Sequence, residues 1–185
     1  MKTFLKSTLL TAVSTIFLNH FSIAQSKHSC CSTASTTEFA MLGKNESFRS
    51  SHLSPLPFHF VPVKGKLISI KAGDGKQATV FEVRADMPTE NYLFVIHEWW
   101  GLNDYIKQEA EKLQEELGNV NVLALDLYDG KVAANKEDAG KYMGEAKEER
   151  IRAIINGAIS YAGKEAHIQT IGWCFGGGWS LQTSI

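Results

Sequence analysis

A chain of 185 residues with 44% hydrophobic and 21% charged side chains can build one ordinary domain with a real core, and its composition is that of a soluble globular protein. Lys plus Arg is 19 and Asp plus Glu is 20, for a net charge of −1. The basic residues are scattered, so no field of either sign is available to hold nucleic acid or an anionic membrane, and a nucleic-acid partner is excluded at this level.

Lys2 and Lys6 precede an apolar run from Leu9 to Leu18, and Ser22-Ile23-Ala24 supplies small residues before Gln25. This pattern predicts a Sec-type signal peptide over residues 1–24 and a secreted or periplasmic protein. The run is too short for a permanent membrane span, so no stable membrane insertion is expected after cleavage; an uncleaved anchor is the alternative. Cys30 follows Lys27-His28-Ser29, which is not a lipobox. Residues 25–60 are rich in Ser, Thr, Asn and Lys and read as a flexible polar linker. His28, Cys30 and Cys31 have soft-metal chemistry, but an incidental cluster in a polar tail is the simpler reading, and no metal site is assigned.

Residues 61–185 carry the folded pattern. Leu67–Lys71 and Ala78–Arg84 flank Gly73-Asp74-Gly75 and predict a hairpin. Tyr92–Ile96 is a continuous apolar run, as expected of a strand buried on both faces. Asn103 or Asp104 caps a helix with Ile106, Ala110, Leu113 and Leu117 at helical spacing, and Gly118 ends it. Val120–Leu125 is the next buried strand, and Lys136-Glu137-Asp138 opens a short helix. A longer helix spans about 147–162 with a stripe of Ile151, Ile154, Ile155, Ala158, Ile159 and Ala162; His167–Ile171 is a further strand. Alternating strands and helices predict an α/β fold with a mostly parallel sheet and helices on both faces. Ligands of such sheets bind beyond the carboxyl ends of the strands, here 97–103, 126–131 and 172–178.

Gly172-Trp173-Cys174-Phe175-Gly176 directly follows a strand and precedes residues able to start a helix. That is the setting of a nucleophile elbow, Gly-x-nucleophile-x-Gly, whose tight turn excludes a bulky Cβ at the flanking positions. A helix N-terminus behind Cys174 lowers thiol pKa. A buried cysteine in a Gly-rich turn is the plain alternative. A Rossmann site fails, because the glycines do not form Gly-x-Gly-x-x-Gly and the motif lies late in the fold. In the loop His97-Glu98-Trp99-Trp100-Gly101, Trp99 is the candidate for one oxyanion-hole N–H and Phe175 for the other. Glu98 is expected close to Cys174, where a carboxylate can accept the thiol proton, although a Glu in a loop is on its own usually just solvated. His97 reads as a buried, hydrogen-bonded histidine, and Trp100 as pocket wall.

With both motifs in view, residues 64–185 resemble the N-terminal two-thirds of a dienelactone hydrolase family protein, an α/β-hydrolase. Three stretches carry the resemblance, Val95–Asn103, Leu125–Tyr128 and Ile171–Gly178. The resemblance implies a carboxymethylenebutenolidase-like hydrolase of a small-molecule ester or lactone, working with no metal or organic cofactor. At rest Glu98 would pair with the Cys174 thiol and keep it protonated. Substrate binding would move Glu98 and leave a thiolate paired with an imidazolium; Cys174 would attack the carbonyl; Phe175 and Trp99 would hold the oxyanion; water would release the acyl group. Trp100, Tyr128 and Lys131 are the expected substrate-binding residues.

The sequence departs from the family pattern twice. Where well-known members carry an Arg for a substrate carboxylate, this chain continues Asp129-Gly130-Lys131, and Lys131 lacks the guanidinium fork. The triad Asp and His follow the nucleophile in this fold, whereas none of the 11 residues after Cys174 is Asp or His. His97 and His167 lie before the elbow. The expectation is therefore a C-terminally incomplete fold, inactive as a fragment, whose function is that of the complete protein. A non-catalytic binding module that kept the elbow is the second reading. A thiol-redox protein is a third, disfavoured because there is no Cys-x-x-Cys.

Overall fold

A computed structural model describes residues 41–184. The expected signal peptide, the first part of the expected linker and the cluster of His28, Cys30 and Cys31 lie outside the described residues. The remainder of the linker is more ordered than its polar composition predicts. It carries helix α1 (Glu46–Ser51), capped by Asn45, whose Oδ1 accepts from the Phe48 N–H at 3.0 Å. The physical reason is tertiary: the Phe48 and His52 rings pack edge-on against Trp99, with centroids 5.3 and 5.5 Å away.

Strands β1 (Lys66–Lys71) and β2 (Gln77–Val83) form the expected hairpin, with Lys71 opposite Gln77. β3 (Asn91–Ile96) is buried after its first residue and β4 (Asn121–Leu125) throughout, as their continuous apolar runs require. With β5 (His167–Gly172) they complete one sheet of order β1-β2-β4-β3-β5. The β4-β3-β5 core is parallel; β1 and β2 add an antiparallel edge, β2 pairing antiparallel with β4.

Helices cover both faces. On one, α2 (Asp104–Leu117) sets Ile106 and Ala110 against Val83, Leu93, Val95, Val122 and Ala124. Asn103 caps it, accepting from the Ile106 N–H at 3.1 Å. Leu117, expected in the apolar stripe, is exposed; buried Gln114 closes the helix instead by donating to the Gly118 carbonyl at 2.9 Å. On the other face lie α3 (Lys136–Glu145), α4 (Glu148–Ala162) and α5 (Phe175–Thr183). Ile151, Ile154, Ala158, Phe175 and Trp179 there share one core with Val80, Phe94, Ile96, Leu123 and Leu125. Ile159 of the expected α4 stripe faces outward. Among the described residues no helix is long and apolar enough to cross a membrane.

Candidate active site

Only Trp173 and Cys174 separate the end of β5 from the start of α5, so the chain must reverse within two residues. Cys174 takes φ 51° and ψ −119°, and the only other described non-glycine residue with positive φ is Asp129. Such a backbone costs about 1–3 kcal/mol at a non-glycine residue and persists where the surroundings over-determine it. The flanking glycines are a steric necessity. A Cβ on Gly172 would collide with the Gly176 carbonyl, and one on Gly176 with the carbonyls of Ile96 and His97. The second contact presses the elbow against the loop that follows β3.

His97 anchors that loop. Its ring is wholly buried; Nε2 accepts from the Leu127 N–H at 3.1 Å, so Nδ1 carries the proton and donates to the Glu98 carbonyl at 2.5 Å. Burial lowers its pKa to about 4, which keeps it neutral. It is thus the buried, hydrogen-bonded histidine expected from the sequence, and it ties the loop after β3 to the loop after β4. The second loop is shaped by buried Asp126, whose carboxylate accepts from the Tyr128 N–H at 3.0 Å and the Gly130 N–H at 2.6 Å. Tyr128 is thereby held against His97 and Phe175, with ring centroids 4.7 and 5.5 Å away.

At Cys174 the three loop ends meet. Burial pushes the thiol above its ordinary value; the Phe175 N–H donates to the sulfur and opposes this; the Glu98 charge raises it further; the Trp99 N–H also donates and lowers it. Desolvation thus outweighs the lowering expected from a helix N-terminus. The half-buried Glu98 carboxyl is itself raised by burial, with His52 acting in the opposite direction. Burial first, and the Glu98 charge after it, act in the direction that favours the protonated Cys174 thiol. The buried Tyr128 hydroxyl has no hydrogen-bond partner among the described residues; its pKa is raised by burial first and by the neighbouring Cys174 second.

Of the residues expected in the site, the structure brings Cys174, Glu98, Trp99, Phe175 and Tyr128 together. Trp100 lines a cavity of about 530 Å³ beside Glu98 and Trp173. Lys131 lies apart. It lines a second cavity of about 640 Å³, where its ammonium is paired with Glu145 at 3.0 Å and lies 5.4 Å from the centre of the Tyr142 ring. In the same cavity Arg150 is committed to Asp74 (3.0 Å), Asp129 (2.6 Å) and the Gln77 carbonyl (2.6 Å). Sequence reasoning missed His52 and Asp126. Asp126 had a signal, an acid two residues before a turn, while His52 had none. Among the described residues no group of three or more His, Cys, Asp or Glu could hold a metal ion.

A sequence model of the dienelactone hydrolase family matches residues 79–185, which takes in most of β2, all of β3 to β5 and all three loops of the site. The chain belongs to the dienelactone hydrolase family. Relatives of known sequence agree. "Protein usf" of Aquifex pyrophilus is 36% identical over 101 residues, 48% of this chain and 42% of that protein. The "Putative carboxymethylenebutenolidase" of Aquifex aeolicus (strain VF5) is 43% identical over 65 residues, 34% of this chain and 27% of that protein. A solved structure named m3DLH superposes with a TM-score of 0.53 at 26% identity, covering 65% of this chain and 53% of its own. The chain spans less than half the length of the curated relatives it matches. The dienelactone hydrolase family is a hydrolase family with the α/β-hydrolase fold, and the expected fold class and kinship both hold.

Proposed function

We propose that the complete protein is a cysteine-dependent hydrolase of a small-molecule ester or lactone, with Cys174 as nucleophile. One observation carries the reading: the N–H groups of Phe175 and Trp99, from two separate loops, converge on the Cys174 sulfur. Paired N–H donors at a nucleophile are what an oxyanion hole requires. In this reading Cys174 gives up its proton, its sulfur bonds to the substrate carbonyl carbon, and the two N–H groups take the negative oxygen. The carbonyl reforms as the alkoxide leaves with a proton, and water then cleaves the thioester. Glu98 holds the thiol protonated until substrate arrives. The triad acid and imidazole follow the elbow in the family order, and residues 175–185 hold neither. Catalysis is accordingly assigned to the complete protein, and the fragment alone is assigned no turnover. Export by the N-terminal signal is part of the same proposal.

The test is turnover of p-nitrophenyl acetate by the complete protein beside Cys174→Ala. Loss of turnover in the variant supports Cys174 as nucleophile. Equal activity in both sinks it and leaves the binding-module reading.

A further inference from the structure

The cavity beside Glu98 has an unusual wall. Trp100, Trp173 and Ile106 come from the part of the chain that matches the family, but Leu53 and Pro55 come from the segment before it. That segment is fastened to the site by the Phe48 and His52 rings on Trp99. The His52 ring is oriented by its Nδ1, which bonds to the Phe48 carbonyl at 2.6 Å. Leu53 is left 85% exposed beside the cavity, an apolar surface that a bound molecule would cover.

Charge around this cavity is one-sided. Glu98 and Glu109 face it, and Lys112, the only cation in its wall among the described residues, lies 3.7 Å from Glu109. A carboxylate entering here meets a net negative field, whereas a neutral apolar group meets two indoles and aliphatic carbon. In the larger cavity, Lys131 and Arg150 are already ion-paired, while Lys76 and Lys147 also line it together with Asp74, Asp129, Glu145 and Glu149.

We propose that this cavity binds the apolar part of an uncharged ester, with Leu53 and Pro55 setting its specificity from outside the family-matched region. The chemistry rests on the hydrolase reading above, but recognition is measurable without it. The substrate class differs from an anionic lactone, whose carboxylate finds no unpaired cation in this wall among the described residues.

The test uses the complete protein carrying Cys174→Ala, which removes the nucleophile and keeps the cavity. Trp100 and Trp173 report binding by fluorescence. The probes are 4-nitrobutyranilide, neutral, and its succinyl analogue, identical except for a terminal carboxylate. Saturable quenching by the neutral anilide is expected, about tenfold tighter than by the anionic one. Adding Leu53→Asp, an exposed substitution that spares folding, is expected to weaken the neutral probe severalfold. Equal or tighter binding of the succinyl probe overturns the proposal, as does unchanged affinity in the Leu53 variant or the absence of saturable quenching. Selective binding here with no ester turnover by the unsubstituted protein supports the cavity assignment and removes only the hydrolase reading.

Discussion

Glu98 faces Cys174 from a different loop, and its charge acts to keep the thiol protonated although the sulfur accepts two backbone N–H bonds. The two residues are brought together by Gly176, which lets the elbow lie directly on the carbonyls of Ile96 and His97. A resting thiol is thereby less open to oxidation, since the thiolate is the reactive form.

Glu98→Gln is expected to raise the rate of Cys174 alkylation by iodoacetamide at pH 7 severalfold. Removing the carboxylate charge removes a contribution that raises the thiol pKa, so the thiolate fraction grows. The rate measured against pH decides: the alkylation profile of the variant must move to lower pH. An unmoved profile means that Glu98 does not control the thiol.

His97 sets a pH dependence of stability. Its folded pKa of about 4 lies below the ordinary value of 6.5, so the unfolded chain binds the proton more readily. The stabilisation is fully present above pH 6.5 and is lost as pH falls through 4. A shift of this size corresponds to about 3 kcal/mol. Urea unfolding between pH 7 and 4 checks it, beside the NMR titration of the His97 ring, which must stay neutral at pH 6. Glu98 works with the opposite sign: its folded pKa is raised, so its contribution is present at low pH and lost as pH rises through that pKa.

Much of this architecture is legible in the sequence because its signals are local. The apolar runs at Tyr92–Ile96 and Val122–Leu125 are strands since only a doubly covered sheet needs them, and Asn103 caps the helix it precedes. The elbow is readable because the two glycines that flank Cys174 at fixed spacing meet a steric demand that a residue with a Cβ does not satisfy. Long-range pairing is not readable in this way. Arg150 reaches Asp74 and Asp129, and Phe48 reaches Trp99, through contacts between segments far apart in the chain. Composition made residues 41–60 look like a linker because α1 buries no residue of its own; its order derives from the indole it leans on.

Phe48→Ala tests that dependence. The Phe48 ring is partly buried against the main core, and its removal is expected to cost about 1–2 kcal/mol. Amide exchange over residues 46–55 must rise more than exchange in β3 and β4. Uniform protection loss across the sheet instead means that the segment and the core unfold as one unit.

Cys174→Gly separates the strain at the elbow from its chemistry. At φ 51° a glycine carries no Cβ penalty, whereas alanine keeps it. Both variants lose the sulfur and its two N–H bonds, so their difference isolates the backbone. Cys174→Gly is expected to exceed Cys174→Ala in unfolding free energy by about 1 kcal/mol, less the small gain in unfolded-state entropy that glycine brings. Denaturant midpoints measured side by side at pH 7 decide it. If alanine proves equal or better, the positive φ at Cys174 costs the fold nothing and the elbow is relaxed. The expected order means that stability is given up at Cys174, where the proposed nucleophile projects from the turn, as strain stored at a functional site would be.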